Sequence, residues 1–292
     1  MANILHAVLN LVEVKKTNLK VHYISKNRAN SMGEALEEYV KDLFAGTFDL
    51  NSSARSQRFS EIFSWGGNQN NPPDFILKGA DAVEVKKIEV KKSDGQLTDL
   101  ALNSSPPKSK LRSSDFRVLP ACKQCETEKW TEKDILYVVG NVSNNELISL
   151  TMVYGEDYAA SPQVYEKIAE MIHSGVMSIP DVEFEETKEL ARVNRVDPLG
   201  ITYLRVRGMW GIKHPLRVFS DVYSQETGAK FNFMCIINKE KYLSFPTEDR
   251  KRLEQLTNNV KELSIKDIKV KVPDNPVQLR EAKLISFYIR EK

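Results

Sequence analysis

At 292 residues, 41% hydrophobic and 28% charged, the chain can bury a core of its own, which excludes a disulfide-stapled miniprotein and a disordered tail. A net charge of +2 excludes a wholesale polybasic protein, so any polyanion must be met by a local concentration of charge. Three cysteines make no even disulfide framework and no apolar run is long enough for a bilayer, which together suit a reduced, cytoplasmic protein with no membrane partner.

Ile4, Leu5, Val8, Leu9 and Val12 recur at helical spacing without a basic leader, so residues 1–14 read as a core helix rather than a signal peptide. An extended piece is expected at 19–24. Ser31-Met32-Gly33-Glu34 has the form of an N-cap opening a helix to about Phe44, with Leu36, Tyr39, Val40 and Leu43 inward. Glu34, Glu37, Glu38 and Lys41 fall mostly outward. Residues 66–73 (GGNQNNPP) can only be a loop, followed by strands at 74–77 and 81–90. Polar loops run over 91–99 and 103–110. Core strands are expected at 135–140 and 147–154, and a helix at 162–174 with Val164, Ile168, Met171 and Ile172 inward. Strands at 202–207 and 231–237, a helix at 247–263 and strands at 266–272 and 282–290 close the chain. Strands and helices mixed without a βαβα rhythm predict an α+β (mixed α/β) fold. The chain reads as a single domain over 1–292, with a catalytic core at about 27–155 and a recognition-rich half at about 156–292.

The chemistry concentrates in Asp74-Phe-Ile-Leu-Lys-Gly79-Ala-Asp-Ala-Val-Glu84-Val-Lys86. A three-residue turn on Gly79 pairs Phe75 with Val83 and Asp74 with Glu84. That register sets the two carboxylates on one face, their Cβ atoms about 5 Å apart, with Lys86 on the same face two residues on. Phe75, Val83 and Val85 face the other way, to pack on a helix. Two converging acids and a lysine suit magnesium-assisted phosphodiester hydrolysis, because magnesium takes one or two carboxylates and the substrate phosphate. The same alternation also describes a plain solvated hairpin.

Charge is segregated along the chain. Residues 192–217 hold Arg192, Arg195, Arg205, Arg207, Lys213 and Arg217 against the single acid Asp197, while 181–189 is acidic, and the basic stretch suggests a face for a polyanion. Cys122-Lys-Gln-Cys125 has the spacing of half a zinc site or a redox pair, yet no second ligand pair follows.

Asp74…Glu84-Val85-Lys86 resembles the PD-(D/E)XK nuclease superfamily. More closely, NRAN at 27–30, the segments 35–46, 81–88 and 101–111, and DPLGITYLRVRGMWG at 197–211 resemble the NgoPII-type type II restriction endonucleases. The resemblance implies a mixed central sheet flanked by helices, and a homodimer that cleaves double-stranded DNA at the palindrome GGCC with Mg2+, leaving 5′-phosphate ends. It also implies a cognate cytosine methyltransferase as genetic partner. Carried onto this chain, Asp74 and Glu84 become metal ligands with the Val85 carbonyl as a third, Lys86 the catalytic lysine, and Glu38 a candidate accessory acid. Two other readings stay open: a structure-specific repair or recombination nuclease of the same fold, and a non-catalytic DNA-binding protein.

A GGCC reader needs donors for guanine O6 and N7. Arg205 and Arg207 share one face of a strand, and Trp210 beside Gly208 and Gly211 could approach DNA closely. Asn103, Ser104, Ser105, Lys108 and Lys110 form a small polar and basic loop suited to phosphates. Asn27, Arg28 and Asn30 either read bases or clamp phosphates.

Overall fold

The computed structural model describes residues 1–19, 32–68, 70–90, 97–185 and 189–291. Asn27, Arg28, Asn30, most of the extended piece expected at 19–24, Ser31 and part of the 91–99 loop lie outside the described residues.

Nine strands among the described residues form one mixed sheet. Its order runs Phe63–Trp65, Phe75–Leu77, Ala82–Glu89, Glu132–Ser143, Glu146–Tyr154, Ala229–Asn238, Asn275–Arg290 and Leu263–Val272, with Lys110–Arg112 attached to Glu132–Ser143. Two neighbouring pairs are parallel: Ala82–Glu89 with Glu132–Ser143, and Glu146–Tyr154 with Ala229–Asn238. The others are antiparallel, so the α+β expectation holds, and both halves of the chain supply strands.

Alternation sorts each strand's side chains onto two faces. Phe75, Val83, Leu136, Val138, Phe231, Phe233, Ile285 and Phe287 are buried against the helices Ile4–Val14, Met32–Ala45 and Thr247–Asn259. Ile76, Ala82, Ile135, Tyr137, Met234 and Ile236 are buried on the opposite side with Cys122, Tyr158, Leu216 and Phe219. A sheet covered on both faces explains why 135–140 reads as an unbroken apolar run.

The first helix starts where Asn3 accepts from the Leu5 N–H at 2.9 Å and stops at Lys15, whose φ of 53° leaves the helical region. In Met32–Ala45 the apolar stripe is buried as its spacing predicts. Lys41, read as outward, is only 7% exposed. Its ammonium lies 2.7 Å from Glu37, 3.3 Å from Glu38 and 3.1 Å from the Gly66 carbonyl, which a buried cation requires.

The helix Pro162–Met177 departs further from expectation. Val164, Ile168, Met171 and Ile172 were expected inward and are 48%, 48%, 67% and 38% exposed. Helical spacing shows that a stripe is apolar but not what covers it, and this stretch of the sheet is already covered by shorter segments. The strand expected at 202–207 shortens to Leu204–Val206, in a separate three-stranded sheet with Ala191–Arg195 and Glu183–Phe184.

His214 ties this second half to the central sheet. Fully buried, it lies 3.1 Å from the Asn141 side chain and accepts from the Leu216 N–H at 3.0 Å. Burial, aided by Arg217, pulls its pKa from 6.5 to about 4. The unfolded chain therefore takes up this proton before the folded one, and stability falls as pH drops across that interval, by roughly 2–3 kcal/mol. Denaturant melts between pH 7 and pH 4 should show this loss, and His214→Gln should flatten it. An equal acid loss in the variant would place the effect elsewhere.

Candidate active site and DNA interface

Asp74 reaches its place through a close backbone approach. Gly67 has a φ of +87°, and a Cβ there would lie 1.9 Å from the Asp74 carbonyl oxygen, so no other residue fits unshifted. The Trp65 indole N–H donates to the Pro73 carbonyl at 3.2 Å, holding the loop from the other side. The hairpin then has the expected register: Phe75 opposite Val83, Ile76 opposite Ala82, and Gly79 at φ +68° in the turn.

One residue before that ladder, Asp74 leaves the sheet pattern. Its Oδ2 accepts from the Val85 N–H at 2.6 Å. Lys86 Nζ donates to Glu84 Oε1 at 2.6 Å, and Glu84 Oε2 is buried with no hydrogen-bond partner among the described residues. Burial, then the neighbouring Glu84 charge, raises the Asp74 pKa well above the ordinary carboxylate range. Burial works against the Lys86 ammonium, but Glu84 and Asp74 outweigh it and hold the pKa above the usual lysine value. The arrangement is two crowded acids, one with an unpartnered buried oxygen, beside a firmly protonated lysine.

The far end of the hairpin is pinned by a pair that sequence reading missed. Glu126 accepts from the Gly79 N–H at 3.0 Å, from Ser64 Oγ at 3.0 Å and from Lys133 Nζ at 2.8 Å, while Lys133 also donates to the Ala80 carbonyl at 2.9 Å. These partners stand far from the turn in sequence, so no local motif announces them.

The early helix carries two neighbouring acids near the hairpin, and both are ion-paired with Lys41. Glu38, the candidate accessory acid, is committed to Arg55 at 2.6 Å and Lys41 at 3.3 Å. Glu37, one residue earlier, is the helix acid whose charge acts on both Asp74 and Lys86. Helical spacing alone does not decide between adjacent acids, because the angle at which the helix meets the hairpin selects the one that faces it.

The loop and strand residues expected at DNA gather in part. Asn103 and Trp210 are directly paired in a two-stranded ladder, and the Trp210 ring meets Tyr165 edge-on at 5.6 Å. Ser104 and Ser105 follow in the same loop, the Ser104 carbonyl accepting from Arg117. The Lys108 N–H donates to the Tyr137 hydroxyl at 2.8 Å, and Tyr137 is the sheet neighbour of Glu84, so this loop lies beside the strand that carries Glu84 and Lys86. Lys108 Nζ is ion-paired with Asp115, whereas Lys110 is looser, 3.6 Å from Asp134.

The basic stretch is not a segregated face. Arg205 and Arg207 both bind Glu189, Arg192 pairs with Glu185, Arg195 with Glu183, and Arg217 with Asp99. The acidic run folds back along the arginines, a pairing that linear charge counting cannot see. Cys122 is fully buried and its thiol is pushed up to about 12 by burial, which leaves it unreactive. No group of three or more His, Cys, Asp or Glu is placed to hold a metal among the described residues, so a cation at Asp74 and Glu84 would need backbone, water or phosphate oxygens as well.

The family model for the NgoPII restriction endonuclease matches residues 2–271. The chain belongs to the NgoPII restriction endonuclease family. A curated relative of this restriction endonuclease, the type II restriction enzyme NgoPII of Neisseria gonorrhoeae, is 50% identical over 288 residues, which is 98% of this chain and 100% of the relative. No solved structure matches. Membership makes the chain a type II restriction enzyme, a site-specific deoxyribonuclease, and sets aside a structure-specific nuclease or a non-catalytic binder. Enzymes of this type generally use divalent metal ions. The site of this restriction endonuclease fits such an ion: among the described residues a buried Glu84 oxygen lacks a partner, and burial with the Glu84 charge disfavours the ionised Asp74 beside it, which a cation would offset. No helix among the described residues is long and apolar enough to cross a membrane.

Proposed function

We propose that Asp74, Glu84 and Lys86 form the active site of a cytoplasmic, magnesium-dependent endonuclease that cuts double-stranded DNA at GGCC and leaves 5′-phosphate ends. The supporting observation is the convergence of Asp74 and Glu84 at Val85, with Glu84 Oε2 left unpartnered. A strand residue points its N–H and C=O to the same side. The Val85 N–H faces Asp74, so its carbonyl lies on the same edge and completes a set of hard oxygen ligands with Asp74 and Glu84. When bound, magnesium supplies Lewis-acid charge at the scissile phosphate and lowers the pKa of the attacking water. Lys86, held protonated, donates to the phosphate oxygen on which charge develops.

Arg205 and Arg207 are the proposed readers of guanine edges, Trp210 a contact beside them, and Asn103, Ser104, Ser105, Lys108 and Lys110 the phosphate contacts. The core and the reading elements belong to one domain. The GGCC target is consistent with the name of the Neisseria gonorrhoeae relative, and a cytosine methyltransferase would protect the host's own sites.

A palindrome has two-fold symmetry, which pairs of identical chains match one half-site each. A homodimer would also cover the exposed apolar side of Pro162–Met177. Digestion of an unmethylated plasmid in magnesium should give discrete fragments ending at GGCC, and sedimentation on a GGCC duplex should give two chains per duplex. Random nicking would overturn the endonuclease reading, and one chain per duplex would overturn the homodimer.

A further inference from the structure

One carboxylate holds both proposed reading arginines. Arg205 Nε lies 2.8 and 3.0 Å from the two Glu189 oxygens and its Nη2 lies 2.5 Å from Oε1, while Arg207 Nε lies 2.5 Å from the same Oε1. Glu189 is only 14% exposed on its side chain, against 46% and 54% for the two arginines. The acid therefore sits beneath them and grips their inner edges. Arg207 has no partner on its Nη groups among the described residues, and Arg205 keeps Nη1 and one Nη2 hydrogen, so both outer edges remain available. Those outer edges are the forks that match guanine O6 and N7. Strand pairing sets Arg192 directly opposite Arg205, and each of these like charges has its own acid, Glu185 for Arg192 and Glu189 for Arg205.

We propose that Glu189 is a positioning residue that sets sequence specificity, orienting the Arg205 and Arg207 forks toward base edges while cancelling one of their two charges. The inference rests on the reading of Arg205 and Arg207 as base contacts. Orientation favours the cognate sequence, and lost charge weakens phosphate attraction on every sequence, so both effects widen the gap between right and wrong DNA.

The experiment measures binding in calcium, over several salt concentrations, to the duplex that the protein cuts and to a scrambled duplex. It compares wild type with Glu189→Gln, Glu189→Asp, Arg205→Ala and Arg207→Ala, and records a thermal melt of each. Glu189→Gln is expected to bind the scrambled duplex more tightly, to steepen its log–log salt slope by about one, and to narrow the cognate-to-scrambled ratio about tenfold or more. Glu189→Asp keeps the charge, so its salt slope should match wild type while its ratio narrows less. An unchanged ratio in Glu189→Gln, with both duplexes gaining or losing alike, would overturn the proposal. If Glu189→Gln does not fold, Glu189→Asp decides: a wild-type slope with a narrowed ratio supports it, and a wild-type ratio overturns it. The arginine variants separate the two levels. If they lose affinity for the cognate duplex alone and Glu189→Gln keeps its ratio, only Glu189 is misassigned. If they lose affinity equally on both duplexes, the base-reading assignment falls and the Glu189 role falls with it.

Discussion

Asp74→Ala is expected to lower single-turnover cleavage about 10³-fold or more in saturating magnesium, with DNA binding in calcium kept within a few-fold of wild type. The carboxylate touches Val85 and faces Glu84, so its removal takes one of the proposed anionic ligands from the site and leaves the proposed arginine readers untouched. A companion variant tests whether the crowding is real. An acid whose folded pKa lies above its unfolded value costs stability as pH rises through that interval, so ionised Asp74 is a liability at neutral pH without metal. Asp74→Asn should therefore melt higher than wild type in chelator near pH 7, and the advantage should vanish toward pH 3. Cleavage at wild-type rates in Asp74→Ala would sink the assignment, whatever the melts show.

Lys86→Met is expected to reduce the cleavage rate by about 10²–10³, the range for removing one donor aimed at developing charge. Its signature should differ from that of Asp74. Lys86 lies 2.6 Å from Glu84 and occupies one of the oxygens a cation would use. Without the ammonium the two acids meet no competing charge, so calcium should bind more tightly even as turnover falls. Calorimetric titration of calcium into metal-free protein measures the first effect and single-turnover cleavage the second. Cleavage within tenfold of wild type, or weaker calcium binding, would contradict the role given to Lys86.

The register of the Asp74–Lys86 hairpin was legible in the sequence because the turn and the alternation that set it are local. Gly79 fixes the turn, strand alternation fixes the faces, and the expected pairing of Phe75 with Val83 is the observed one. The core helices were legible for the same reason, as Ile4–Val14 and Met32–Ala45 carry their burial in their periodicity. What depends on distant partners was not. Glu126 reaches the hairpin turn from 47 residues away, and Glu189 meets Arg205 across 16 residues and a change of strand. The basic run at 192–217 reads as an open face because the acids that neutralise it, Glu183, Glu185, Glu189 and Asp99, all lie outside it in the sequence. The helix Pro162–Met177 announced an apolar stripe, and its own chain leaves that stripe in solvent.

The contact between Asp74 and Val85 has a consequence for how the sheet ends. Phe75–Leu77 covers the strand Ala82–Glu89 only as far as Val83, and no other strand among the described residues continues along that side. From Val85 onward the strand presents a bare border of the kind that recruits foreign strands. The first N–H on that border is already taken by the Asp74 carboxyl, and that buried polar group stands where an incoming backbone would have to lie. The group proposed to hold the metal therefore also blocks edge-to-edge strand pairing at the start of that border.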